Sequence, residues 1–174
     1  MRLIVPGDCF REQEYFNNMS EWREVQAEWL GDFAFRGTNP TGGQIQMGEY
    51  AGKPGISPME MLLLGAAGCT GIDVVSILEK ARQDLRGLRV QVRGKRAEEH
   101  PKVWKVIEVK YLVWGLDIDP KIVERAIQLS EEKYCSASNM LRAVAEISST
   151  YQILIPGEEP TQTQDESGVS LTLR

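Results

Sequence analysis

The rhythm of apolar and polar positions changes several times along this chain, and each change marks an element. Trp22 to Leu30 alternates loosely and predicts a strand, Gly31-Asp32 a turn, and Phe33-Ala34-Phe35-Arg36 a second short strand. The glycine-rich loop Gly37 to Gly43 leads into a third strand, Gln44 to Met47, which suggests a meander. Lys53-Pro54-Gly55-Ile56 breaks the chain. Ser57-Pro58-Met59-Glu60 then opens a helix, with Ser57 as cap, Pro58 at the first helical position and Glu60 reaching back to the cap amide. This helix is apolar on nearly every side in its first half, turns charged after Glu79, and is expected to run to about Leu85, stopping near Gly87. Leu88 to Arg93 alternates as a half-buried strand. Val103 to Trp114 makes a longer one with Ile107, Val109, Tyr111 and Val113 on one face. Asp119 caps a second helix beginning at Pro120, with Ile122, Val123, Ala126, Ile127 and Leu129 as its apolar stripe. Tyr134-Cys135 interrupts that stripe. Ser136 or Ser138 starts a third helix to about Ile147, and Tyr151 to Ile155 is a final strand. The order is βββ-α-ββ-αα-β, an α+β class with antiparallel sheets. Residues 1–20 read as an extension, 21–155 as the folded domain and 156–174 as a disordered polar tail. The long central helix is too apolar for one small sheet to cover, so a second copy of the chain is expected against it.

Composition narrows the function classes. The chain has 174 residues, enough for one sizeable core. A hydrophobic share of 42%, a charged share of 26% and a formal net charge of −5 argue against nucleic acid or an anionic membrane as main partner, since both need clustered cations. No apolar run reaches the roughly 18 residues of a membrane span, and the N-terminus lacks a signal-peptide pattern. A cytoplasmic protein is the expectation.

The chemistry concentrates in cysteines. There are three, which disfavours a purely structural disulfide framework. In a reducing compartment a cysteine pair is catalytic, redox-sensing or metal-binding. No metal site is expected: the single His100 lies in a charged turn and there is no C-x-x-C, so no cluster has ligand spacing. Cys135 precedes a helix start and sits two residues from Lys133, surroundings that favour a thiolate. Cys69 lies mid-helix among apolar residues, which disfavour one. A functional Cys69 therefore needs a cation from elsewhere, and Arg36, beside the glycine-rich loop, is the candidate. Asp73, one turn beyond Cys69 on the same face, must find a partner inside an apolar helix and is read as a supporting residue. Cys9 is read as incidental. At this level the cysteines are either a dithiol pair or two small buried residues.

Two motifs then carry a resemblance. Ser57-Pro58-Met59-Glu60-Met61-Leu62-Leu63 ahead of Gly68-Cys69-Thr70-Gly71-Ile72-Asp73-Val74-Val75, followed by Ser130-Glu131-Glu132-Lys133-Tyr134-Cys135-Ser136, resemble the OsmC/Ohr family of osmotically inducible and organic hydroperoxide resistance proteins. The resemblance covers about residues 29–155. It implies an intertwined homodimer with the central helices buried between two sheets and the active site at the subunit interface. It implies a thiol-dependent peroxidase acting on organic hydroperoxides, and less well on hydrogen peroxide. Cys69 matches the peroxidatic cysteine and Cys135 the resolving one. The implied reductant is an external dithiol such as a lipoyl group, and no metal, flavin or haem is required. Arg36 corresponds to the family arginine. Family members carry a catalytic glutamate directly after the helix proline, where this chain has Met59, with Glu60 next.

Three other readings compete with the peroxidase. One is a redox-responsive or small-molecule-binding dimer with little peroxidase activity. Another is a cysteine hydrolase or acyltransferase, which would depend on His100. The third is a purely structural pair. The dithiol reading requires that the fold bring Cys69 and Cys135 within disulfide reach.

Overall fold

The computed structural model describes residues 22–160 and the backbone of Val169–Leu171. The expected N-terminal extension with Cys9, and most of the expected C-terminal tail, lie outside the described residues. The chain divides into two compact units with a boundary at Ser57/Pro58, inside the span read from sequence as one domain.

The N-terminal unit is the expected meander. Strands β1 (Gln26–Gly31), β2 (Ala34–Thr38) and β3 (Gln44–Met47) pair antiparallel in the order β1-β2-β3. The loop between β2 and β3 is held by Asn39, whose side-chain oxygen accepts from the Gly43 amide at 2.7 Å. Gly48 turns the chain after β3 with φ +75°, and a Cβ there would lie 2.7 Å from the Phe33 carbonyl oxygen, so only glycine fits.

The C-terminal unit packs helices on a four-stranded sheet. It contains α1 (Pro58–Lys80), β4 (Asp84–Arg96), β5 (Trp104–Leu116), α2 (Pro120–Leu129), a π-helical turn (Ser130–Tyr134), α3 (Ser136–Arg142), β6 (Glu146–Leu154) and β7 (Val169–Leu171). Sheet order is β4-β5-β6-β7. The class is α+β as expected, but the sheet is mixed: β5 and β6 run parallel. The helical crossover from Pro120 to Arg142 lets the chain return to the same end before β6 begins, which a hairpin cannot do.

Helix α1 ends five residues before the expected stop. The Arg82 amide bonds the Glu79 carbonyl at 2.9 Å and the Gln83 amide bonds the Leu78 carbonyl at 3.0 Å, with Arg82 at φ +57°. These two bonds and the left-handed residue form a Schellman stop. A non-glycine residue occupies the position where glycine is the usual signal, which hid the stop in the sequence. The freed residues Asp84 to Gly87 extend β4. Likewise α3 stops at Arg142 rather than near Ile147, and Glu146 to Thr150 become the first half of β6.

Leu63, Ala66, Thr70, Val74 and Leu78 form the buried stripe of α1. Leu63, Val74 and Leu78 join one core with the expected β5 face, Ile107, Val109, Tyr111 and Val113, and with Val123, Ala126 and Ile127 of α2. Leu62, Leu64 and Ile72, on other faces of α1, are about half exposed within this chain. By length and composition α1 is long and apolar enough to cross a bilayer, contrary to the expectation that no apolar run reaches that length. Its average is apolar although Glu60, Thr70 and Asp73 punctuate it. It nevertheless serves as the core helix of this unit.

Candidate active site

Cys69 and Cys135 stand on different elements, and the fold brings them together. The Cys69 sulfur, the Cys135 sulfur and a carboxylate oxygen of Asp73 all lie within 4.8 Å of one another, and both thiols are free. Cys69 and Asp73 are one turn apart on α1, so their side chains project to the same side. Cys135 arrives from across the fold, at the junction of the π turn and α3. The expectation that no metal-type cluster exists rested on sequence spacing; in three dimensions these donors do converge.

The π turn sets the position of Cys135. The Ser130–Tyr134 segment widens by one residue per turn, and the Cys135 amide closes it onto the Ser130 carbonyl at 2.7 Å. Cys135 then leaves the helical region with φ −71° and ψ 97°, which turns its side chain to cap α3. Its sulfur accepts from the Ser138 amide at 3.4 Å and donates to the Ser138 hydroxyl at 3.1 Å. Asn139 braces the loop by donating to the Cys135 carbonyl at 3.0 Å. Burial pushes the Cys135 thiol up from its ordinary value; the Ser138 contacts pull it back and the neighbouring Cys69 adds to the rise. Cys135 is fully buried whereas Cys69 is partly exposed, so Cys69 is the sulfur a solute meets.

Beneath the thiols runs a chain of buried hydroxyls. Ser130 donates to Asp73 at 2.8 Å. Ser130 and Thr70 are 2.8 Å apart, and Thr70 and Tyr111 are 2.7 Å apart. Each hydroxyl has one hydrogen, so with Asp73 as a carboxylate the direction is set: Tyr111 donates to Thr70, Thr70 to Ser130 and Ser130 to Asp73. Burial pushes the Asp73 carboxyl up, opposed by the Ser130 bond. Burial also pushes the Tyr111 phenol up, opposed first by its bond with Thr70.

Glu131, beside Ser130, is buried and accepts a hydrogen bond from Ser149 on β6. It also pairs with Arg142 of α3 at 3.5 Å. These contacts tie the cysteine-bearing turn to the sheet and to α3. Thr70, Ser130, Glu131 and Ser138 were not singled out as site residues in the sequence. A hydroxyl inside an apolar helix, Thr70, was the available signal, because it must find a partner. Glu131 sits in a run of charges that reads as a solvated face, and only its tertiary neighbours reveal its burial.

The donor group contains neither Glu60 nor His100. Glu60 is exposed in the first turn of α1, nine residues and about 13 Å along the axis from Cys69. Met59, at the position directly after the proline, packs against the core of its unit. Arg36 is on β2 of the N-terminal unit, where it pairs with Glu28 at 3.7 Å. His100 lies in the turn between β4 and β5, preceding a cis bond to Pro101.

Comparison with known proteins gives the following likenesses. The family model for OsmC-like proteins matches residues 50–150. Protein YhfA of Escherichia coli K12 is 39% identical over 131 residues, covering 75% of this chain and 98% of that protein. A hypothetical protein of Aquifex aeolicus of known crystal structure is 35% identical, with a TM-score of 0.71 over 80% of this chain and 99% of the other. The organic hydroperoxide resistance protein OhrB of Bacillus subtilis shares the fold at 19% identity, with a TM-score of 0.56 over 76% of this chain and 99% of that one.

Proposed function

Because the chain belongs to the OsmC-like protein family, we propose that its paired thiols reduce organic hydroperoxides. The observation that carries this reading is the approach of two free cysteines from separate elements, one half-open and one buried. In the proposed cycle the Cys69 thiolate attacks the terminal peroxide oxygen. The O–O bond breaks, the alkoxide takes a proton to leave as alcohol, and Cys69 becomes a sulfenic acid. The Cys135 sulfur then attacks the Cys69 sulfur, its proton leaves with the hydroxyl as water, and a disulfide forms. An external dithiol, with lipoyl groups as the proposed type, returns both thiols by exchange. Burial suits Cys135 to resolving, because it keeps a neutral thiol out of solvent until its partner is oxidised.

The proposed assembly is a homodimer. The half-exposed Leu62, Leu64 and Ile72 on α1 are the surface a second copy would cover. Arg36 and Glu60 are proposed as the cation and carboxylate of the peroxide-binding face, supplied when the dimer is assembled. Cytoplasmic location and independence of nucleic acid and membrane belong to the same reading.

Anaerobic thiol counting before and after one equivalent of cumene hydroperoxide, with peptide mapping, tests it. Fast loss of two thiols per chain with a Cys69–Cys135 disulfide is the expected result. Slow loss favours a second reading, a redox-responsive or small-molecule-binding dimer with little peroxidase activity. The packing of the partly buried Met59 against the core, with Glu60 exposed, supports that second reading.

A further inference from the structure

We propose that the reduced Cys69–Cys135 pair, together with Asp73, forms a binding site for a thiophilic divalent cation of the zinc type. Metal binding itself does not depend on the peroxidase reading; its consequence for peroxide turnover rests on that reading. Three donor atoms within 4.8 Å of one another are already gathered, two from α1 and one from the end of the π turn. In a tetrahedral zinc site, bond lengths of about 2.3 Å to sulfur and 2.0–2.2 Å to oxygen put the donors about 3.5–3.8 Å apart. The set closes to that spacing with a shift of about an ångström or less. Two sulfurs and one carboxylate are a soft-to-borderline donor set, which selects zinc-like ions over calcium or magnesium.

The surroundings are those of a supported metal site. A ligating carboxylate needs an outer partner to orient it, and the Ser130 hydroxyl already bonds Asp73 at 2.8 Å. A ligating thiolate needs donors of its own, and Cys135 has the Ser138 amide at 3.4 Å and a hydroxyl at 3.1 Å that can reverse its hydrogen once the thiol has lost its proton. Thr70 and Tyr111 fix Ser130 in turn. Both thiols give up a proton on binding, so each cation taken up releases two protons and forms two metal–sulfur bonds. Cys69 and Asp73 are partly exposed, which leaves the fourth position to water or a solute. A bound cation occupies the lone pair that Cys69 would use on a peroxide. The reduced protein is therefore protected while loaded, and oxidation to the disulfide removes two of the three ligands.

The test is anaerobic titration of the reduced full-length chain with cobalt(II), then displacement by zinc. The expected result is one cobalt per chain, with a thiolate-to-cobalt charge-transfer band and the d–d bands of a tetrahedral ion, lost on adding zinc but not calcium. Cys69→Ser and Cys135→Ser should each remove about half the charge-transfer intensity, one thiolate of two remaining. Asp73→Asn keeps an acceptor for Ser130, and should keep the band while weakening affinity at least about tenfold. Saturation without the charge-transfer band, no saturable binding at micromolar concentrations, or equal affinity in the wild-type chain and Asp73→Asn would overturn the proposal. Cumene hydroperoxide consumption by chelator-treated protein is measured in parallel. Fast consumption without cobalt binding refutes the metal site alone. Cobalt binding without consumption refutes the peroxidase reading alone.

Discussion

Thr70→Val probes the hydroxyl chain under the thiols at its centre. Thr70, Tyr111 and Ser130 are all essentially inaccessible to solvent, so no water can replace a lost partner. Valine matches threonine in shape and leaves no cavity, which confines the effect to hydrogen bonding. Because Ser130 spends its hydrogen on Asp73, the Tyr111 hydroxyl hydrogen points at Thr70. The substitution removes that acceptor; the Ser149 hydroxyl, which also neighbours the Tyr111 hydroxyl and spends its own hydrogen on Glu131, can accept in its place, so the cost falls at the lower end of the about 1–3 kcal/mol of a buried unsatisfied donor. Ser130 loses only an incoming bond to its oxygen, a smaller penalty. The expected loss is about 1 kcal/mol, which for a chain of this size lowers the melting temperature by about 2–4 °C. Urea unfolding followed by tryptophan fluorescence, at fixed protein concentration, measures it. The double variant Thr70→Val/Tyr111→Phe removes both ends of one bond. It should be more stable than the sum of the single effects, with a coupling near 1 kcal/mol. A single-variant loss below about 0.5 kcal/mol, or additive effects in the double variant, would refute the stated direction of the chain.

Three further outcomes follow from the geometry. Cys69→Ser abolishes peroxide turnover. Cys135→Ser instead leaves one fast reduction and a trapped sulfenic acid, visible by dimedone labelling; equal partial losses from both changes would contradict the assigned roles. In Cys69→Ser, where its thiol neighbour is gone, iodoacetamide should still react with Cys135 only on a pH curve displaced to the alkaline side of an ordinary thiol, because burial disfavours the thiolate and is the largest cause of its shift. A curve on the acid side would show that Ser138 dominates instead. Gly115→Ala places a Cβ 2.5 Å from the Asp84 carbonyl oxygen and 2.6 Å from Ile118, and thermal unfolding should show a loss of about 1–3 kcal/mol.

The second helix was legible because its signals are local. Its cap bond, Asp119 Oδ1 accepting from the Lys121 amide at 2.9 Å, lies where the sequence puts it. The β5 face was legible for the same reason, since period-two alternation is a property of neighbouring residues. Helix ends were less legible. Arg82 in a left-handed conformation stops α1 without the glycine that usually announces such a stop. The parallel pairing of β5 and β6 was hidden as well, because strand direction depends on where a crossover delivers the chain.

The sequence alone determined the element types, the apolar central helix and the two cysteine motifs with their family. It did so because periodicity, capping and motif order are written within short windows. Only the tertiary structure decided that Cys69, Asp73 and Cys135 converge, that Thr70, Tyr111 and Ser130 link beneath them, and that Glu131 is buried. Those facts depend on contacts between residues 41 to 66 positions apart in the chain or on the burial of one charge among several alike. Side-chain direction across a packed interface has no signature in the neighbouring letters. It is set when α1, β5 and the π turn share one core.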